Sequence, residues 1–118
     1  MDTARIHDYA LEKPYTELTH PFGNDVDVYK VMNKMFALAS VHQQRPIVNL
    51  KCDPAQATAL CDIHADIIPG YHMDKRHWIT VFLDGAVPTG EVQHLLDQSY
   101  ELVVAKLPKR DQRLINPE

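Results

Sequence analysis

Two apolar runs, VDVYKVM from Val26 to Met32 and MFALASV from Met35 to Val41, are separated only by Asn33 and Lys34. A two-residue connection joins neighbouring strands only when they run antiparallel, because a parallel pair needs a crossover of a dozen or more residues. The centre of the chain is therefore expected to be an antiparallel hairpin. The remaining sequence must extend that sheet and cover it.

The flanking segments read as the extension. Residues 15 to 20 form a candidate edge strand, and after the loop HQQRP the run PIVNLKC alternates Val48, Leu50 and Cys52 with Ile47, Asn49 and Lys51. WITVFLDG alternates Ile79, Val81 and Leu83 with Trp78, Thr80 and Phe82. Helices separate these strands. Asp2 or Thr3 caps a short one that ends at Pro14, with Ile6, Tyr9 and Ala10 on its apolar face. Asp53, Pro54 and Gln56 make an N-cap, a first helical position and a capping box for a second, with Ala57, Leu60, Cys61 and His64 facing inward. Thr89 caps the longest, whose stripe is Val92, Leu95, Leu96, Ser99, Val103 and Leu107, and Pro108 stops it.

The expected fold class is α+β, a two-layer α/β sandwich with a mainly antiparallel sheet, helices on one face and the other face partly open. With Val48, Leu50, Ile79, Val81 and Leu83 toward the helices, the open face presents Asn49, Lys51, Trp78, Thr80 and Phe82. At 118 residues, without repeats or a linker, residues 1–118 read as one domain. No apolar run of membrane-spanning length and no secretory signal is visible, so no membrane role and a cytoplasmic location are expected.

The densest group of contact-making side chains is PGYHMDKRHW, Pro69 to Trp78, with two histidines, a lysine, an arginine and two large aromatics. Net charge is −4, which argues against a protein that coats nucleic acid by bulk charge and requires any basic site to be local. Positive charge gathers in this stretch and at the C-terminus.

The segments PFGNDVDVYKVMNKMFAL, VNLKCDP, PGYHMDKRHWITVFLDG and SYELVVAKLPKR together resemble the MmcQ/YjbR family of small bacterial proteins. The resemblance runs in order from about Pro14 to Arg110. It implies a single YjbR-like domain with a secretion-chaperone-like, also frataxin-like, fold of order α, three β, α, two β, α. It also implies DNA binding through a paired-wing arrangement of the sheet; with contact through only Lys51, Lys75 and Arg76, that binding is expected to be weak and salt-sensitive. The positions that match the family's signature are Tyr71, His72, Lys75, Arg76, His77 and Trp78, with Asn49 and Lys51 on the neighbouring strand. Asp74, where the pattern commonly has Asn, and Ile79, where it commonly has a polar residue, depart from it. Asp74 places a negative charge beside the two cations.

Each of these residues has a structural reading beside the functional one. Lys75 and Arg76 grip phosphates or are solvated; Trp78 and Tyr71 stack on a base or plug a corner of the core. His72 and His77 contact phosphate, bind metal, do acid/base work or shape the loop. Lys106, Lys109, Arg110 and Arg113 complement the dipole at the end of a helix. No GxSxG, glycine-rich phosphate loop or HExxH is present, and Asp62, His64 and Asp66 do not form a recognised acid/base pair. No enzyme activity, catalytic residue, cofactor or metal is expected; Cys61 and His64 at helical spacing supply two ligands, not four. The alternative to DNA binding is a protein-interaction module, in which the open sheet face binds a protein partner or forms a homodimer. Cys52 and Cys61 are expected reduced and unbridged, which an unchanged intact mass on treatment with reductant would confirm.

Overall fold

The central hairpin forms one residue earlier than the spacing predicts. In the computed structural model, which describes residues 1–117, β2 (Asp27–Val31) and β3 (Lys34–His42) pair antiparallel with Val31 opposite Lys34. The connecting residues are Met32 and Asn33, both at positive φ (45° and 69°), which is the backbone of a type I′ turn. That turn matches the right-handed twist of the strands, and Asn33 tolerates the left-handed region. The segment HQQRP, expected as a loop, contains a second tight turn. Gln43 and Gln44, also at positive φ, join β3 to β4 (Arg45–Lys51), with His42 opposite Arg45.

The sheet has six strands in the order β1-β2-β3-β4-β6-β5, where β1 is Thr16–Thr19, β5 is Ile67–Pro69 and β6 is Trp78–Phe82. Every neighbouring pair is antiparallel. The helices are α1 (Thr3–Leu11), α2 (Pro54–Ile63), α3 (Thr89–Val104) and α4 (Lys109–Ile115). This is the expected α+β architecture with two differences of count. Four strands precede α2 rather than three, because residues 16–19 pair with β2. The long helix ends at Val104, short of Leu107, and a separate α4 follows. Pro108 disfavours the α conformation at Leu107 and sits as the N-cap of α4. Gln112 Nε2 donates to the carbonyls of Ala105 and Leu107, which lie between the two helices. Lys109 and Arg110 therefore open α4 instead of closing α3, and the dipole explanation reaches only Lys106, just past α3, and Arg113 in the last turn of α4.

The caps hold with small changes. Asp2 accepts from Arg5 N, and Asp53 accepts from Ala55 N and Gln56 N. Gln56 points its amide at Gln98 of α3, 2.8 Å away, and does not close a capping box. Pro88, not Thr89, is the N-cap of α3. Both cysteines are free.

The predicted inner residues Leu50, Leu60, Val81, Leu83, Leu96 and Val103 are all buried in one core between the sheet and the helices. A register shift gives that core its polar stitch. Tyr29 pairs with Ala37 and Lys30 with Met35, so Phe36 is the extra residue of a bulge in β3. Its carbonyl accepts from Ser99 Oγ of α3, and the same hydroxyl accepts from Lys51 N, which ends β4 (2.6 and 2.8 Å). Ser99, fully buried, thus joins α3 to two strands. No helix among the described residues is long and apolar enough to cross a membrane.

Ser99→Ala strands a buried backbone donor and acceptor, so it should lower unfolding free energy by about 1–3 kcal/mol per stranded group. Leu50→Ala and Leu96→Ala should each cost about 2–5 kcal/mol. Urea unfolding monitored by circular dichroism measures both, and wild-type-like midpoints would overturn the assignment of faces.

Candidate functional site

The sheet face away from the core is not open, as expected, but covered. Val28, Leu38 and Trp78 form a second apolar cluster there, with Val26, Met35 and Met73 packed against it. The cover is the stretch from Gly70 to His77, which folds back over β6 and β4. A ring of three hydrogen bonds holds it. Tyr71 N–H donates to Thr80 Oγ1 (2.8 Å), the Thr80 hydroxyl donates to Asn49 Oδ1, and Asn49 Nδ2 donates to the Tyr71 carbonyl (3.2 Å). Both backbone groups of Tyr71 are thereby satisfied by side chains that are themselves buried.

Asn49 is therefore an internal clamp, not an outward contact. Trp78, 9% exposed, is largely part of the second cluster, as one of its two readings anticipated. Gly70 N donates to the Trp78 carbonyl, and a Cβ on Gly70 would lie 2.8 Å from Trp78 Cβ, so only glycine permits this approach. Cys52 N donates to the His77 carbonyl, which ties the far end of the stretch to the end of β4. Asp74 Oδ1 accepts from Arg76 N, so the departure at Asp74 shapes a turn.

The aromatic residues of the stretch stack along the covered face. Tyr71 lies on His42, with ring centroids 3.7 Å apart, and His72 tilts against Tyr71 at 4.1 Å. His42 continues onto Phe82, and the Arg45 guanidinium lies 4.1 Å from the Phe82 ring. Arg45 pairs with Asp84 and Asp66 at 2.8 and 3.1 Å. The Ala86 amide, followed by Arg45, holds the Asp66 carboxyl below its ordinary value of 3.8.

Lys75 and Arg76 are exposed but point elsewhere. They line a cleft against α2 with Thr58, Cys61 and Asp62, and Lys75 Nζ donates to the Gly70 carbonyl at 2.9 Å. They line a different cleft from Lys51.

Lys51 belongs to a different concavity, at the ends of the strands. Lys34, the first residue of β3, Lys51, the last of β4, and Lys106, just past α3, line a cleft of about 360 Å³. Its apolar lining includes Trp78, Met35 and Leu107. Lys51 is directly opposite Trp78 in the β4/β6 register, so the cation and the indole arrive together. Among the described residues no carboxylate pairs with any of these three lysines and none lines their cleft. Four other clefts all carry acid: Asp62 in one, Asp97 and Glu101 in a second, Asp8 and Glu12 in a third, Glu101 in a fourth. Of the expected site residues, this cleft brings together Lys51 and Trp78. It adds Lys34, which sequence reasoning placed only in a turn, and Lys106, which it assigned to a helix dipole. No local motif links positions 34, 51 and 106; only strand register and the early end of α3 do.

The family model described as YjbR matches residues 11–102. The uncharacterised protein YbdF of Escherichia coli O157:H7 is 40% identical, with 99% of each chain aligned. The uncharacterised protein YjbR of Escherichia coli K12 is 33% identical, with 98% of each covered. A crystal structure of a Deinococcus radiodurans protein with a DUF419 domain superposes with a TM-score of 0.87 at 35% identity, over 96% of this chain and 86% of that one.

Two predictions follow from the clamp and its neighbour. Thr80→Val should free the 70–77 stretch, raising amide exchange at Tyr71 and proteolysis between residues 71 and 77 well before global unfolding, at a cost of about 1–3 kcal/mol per stranded group. Unchanged exchange at Tyr71 would overturn the clamp. Asp66 has its folded pKa below the unfolded value, so its contribution is complete above that value and fades as pH falls below about 3.8. In urea titrations across acid pH, Asp66→Asn should flatten the loss of stability in that window.

Proposed function

The chain belongs to the YjbR family, and from that membership we propose that it is a non-enzymatic nucleic-acid-binding module whose contact surface centres on the lysine cleft. One observation carries the reading: Lys34 of β3, Lys51 of β4 and Lys106 just past α3 line one concavity with Trp78, and among the described residues no carboxylate lines it or pairs with these lysines. Ammonium groups supply the sequence-independent attraction to phosphates, and an aromatic edge supplies a surface for a base. The cleft also meets the requirement that a chain of net charge −4 keep its basic site local. Lys75 and Arg76, a cleft away and facing Asp62, are secondary contacts at most.

The cysteine chemistry agrees with a non-enzymatic role. Burial, with smaller contributions from Asp53 and Cys61, pushes the Cys52 thiol up to about 11, opposite to the lowering that activates a nucleophile. Burial also raises the Cys61 thiol.

A gel-shift titration over a series of salt concentrations tests the proposal. Three neutralised phosphates give a log-log slope of about −2.7 on duplex, and Lys34→Ala, Lys51→Ala and Lys106→Ala should each flatten it by about one unit. Lys75→Ala and Arg76→Ala should change it less. Absence of binding at low salt, with a tight dimer in solution mass measurements, would favour the protein-interaction alternative.

A further inference from the structure

Resting on that reading, we infer that the lysine cleft takes an unstacked nucleotide of a single strand and not the side of a duplex. The shape of the cleft carries the inference. Its volume of about 360 Å³ lies at the small end of ligand pockets, the scale of one nucleotide rather than of a helix. Lys34, Lys51 and Lys106 all line this one volume. A duplex keeps its bases paired and stacked inside and offers only its outer phosphates and groove edges. It would leave the apolar lining of Trp78, Met35 and Leu107 without a partner.

A single-stranded nucleotide fills both halves of the site. Its phosphate meets the ammonium groups, while its base lies against the accessible edge of Trp78 and the Met35 thioether. Trp78 is suited to be a fixed edge, because the cluster with Val28 and Leu38 holds it and leaves only a small part exposed. Lys51 and Trp78, facing each other across β4 and β6, set the cation beside the indole without any loop having to close. Lys34 follows the Met32–Asn33 turn and Lys106 follows the end of α3, and both are exposed.

Trp78 is the chain's single tryptophan, so its emission reports the cleft directly. The full-length protein is titrated with a short oligo(dT) strand, with a duplex of equal length and with thymidine monophosphate. The single strand should bind about tenfold or more tighter than the duplex, quench Trp78, and show a salt slope of about −0.7 for the one phosphate seated in the cleft, shallower than the duplex slope. Thymidine monophosphate should compete, inorganic phosphate should compete less well, and Lys51→Gln should lose about tenfold while Lys51→Arg retains binding. Lys106→Ala, at an exposed position, should lose affinity with an unchanged melting curve and excludes misfolding as the cause. Duplex binding as tight as single-strand binding, with Trp78 emission unchanged, would overturn this inference and leave the nucleic-acid reading standing. No binding of either form at low salt would overturn both.

Discussion

The buried hydrogen-bond ring of Asn49, Thr80 and the backbone of Tyr71 is the interaction on which the rest of the molecule depends. A six-stranded sheet has two faces, and the larger helices are used on one. The second face carries Val28, Leu38, Trp78 and Phe82, which have to be covered. Among the described residues no helix packs there, so a length of irregular chain does the covering, and irregular backbone brings polar groups that need partners. Asn49 and Thr80, on adjacent strands and opposite each other in register, supply those partners. Their placement on an otherwise apolar face, together with the glycine at position 70, is what allows the chain to lie so close to the sheet.

That constraint explains why the stretch from Pro69 to Trp78 is so rich in large side chains. Met73 closes the second cluster, Tyr71 and His72 extend a stack over His42, and Lys75 returns to the Gly70 carbonyl. Density of contact-making residues in a sequence measures how much a segment touches. It does not say whether it touches itself or a ligand.

The alternation of β4 and β6 made the inner face legible, since Leu50, Val81 and Leu83 fall where period two puts them. The helix stripes were legible for the same reason at period 3.6, as were the caps at Asp2 and Asp53. Other features escaped because their causes are not local. Met32–Asn33 and Gln43–Gln44 adopt positive φ without a glycine, so strand pairing, not turn propensity, selects their conformation. Ser99 looked like one small residue in a helical stripe, and its role arises only once the bulge at Phe36 leaves a carbonyl to be met. The direction of Trp78 was readable, and a plug at a corner of the core was one of its two readings; what decides between them is the fold of the Gly70–His77 stretch over the sheet, which no local motif encodes. Lys34, Lys51 and Lys106 are unremarkable in sequence, and only the register of three strands and the early end of α3 bring them together.

The electrostatics of that cleft fit poorly with a purely structural role. Three ammonium groups around one concavity repel one another, and the fold places no carboxylate among the described residues to relieve them, although acidic residues outnumber basic ones in the chain. In a structural cation cluster, acids would be expected nearby, as Asp84 and Asp66 are for Arg45. The rest of the surface is net negative, so a polyanion at long range is repelled and only at close range attracted. At an ionic strength of 0.1 M the screening length is about 10 Å, so an anion seated in the cleft responds most to the lysines that line it. A surface arranged in this way favours one orientation of approach for an anion, the one that brings it to the cleft that the three lysines line.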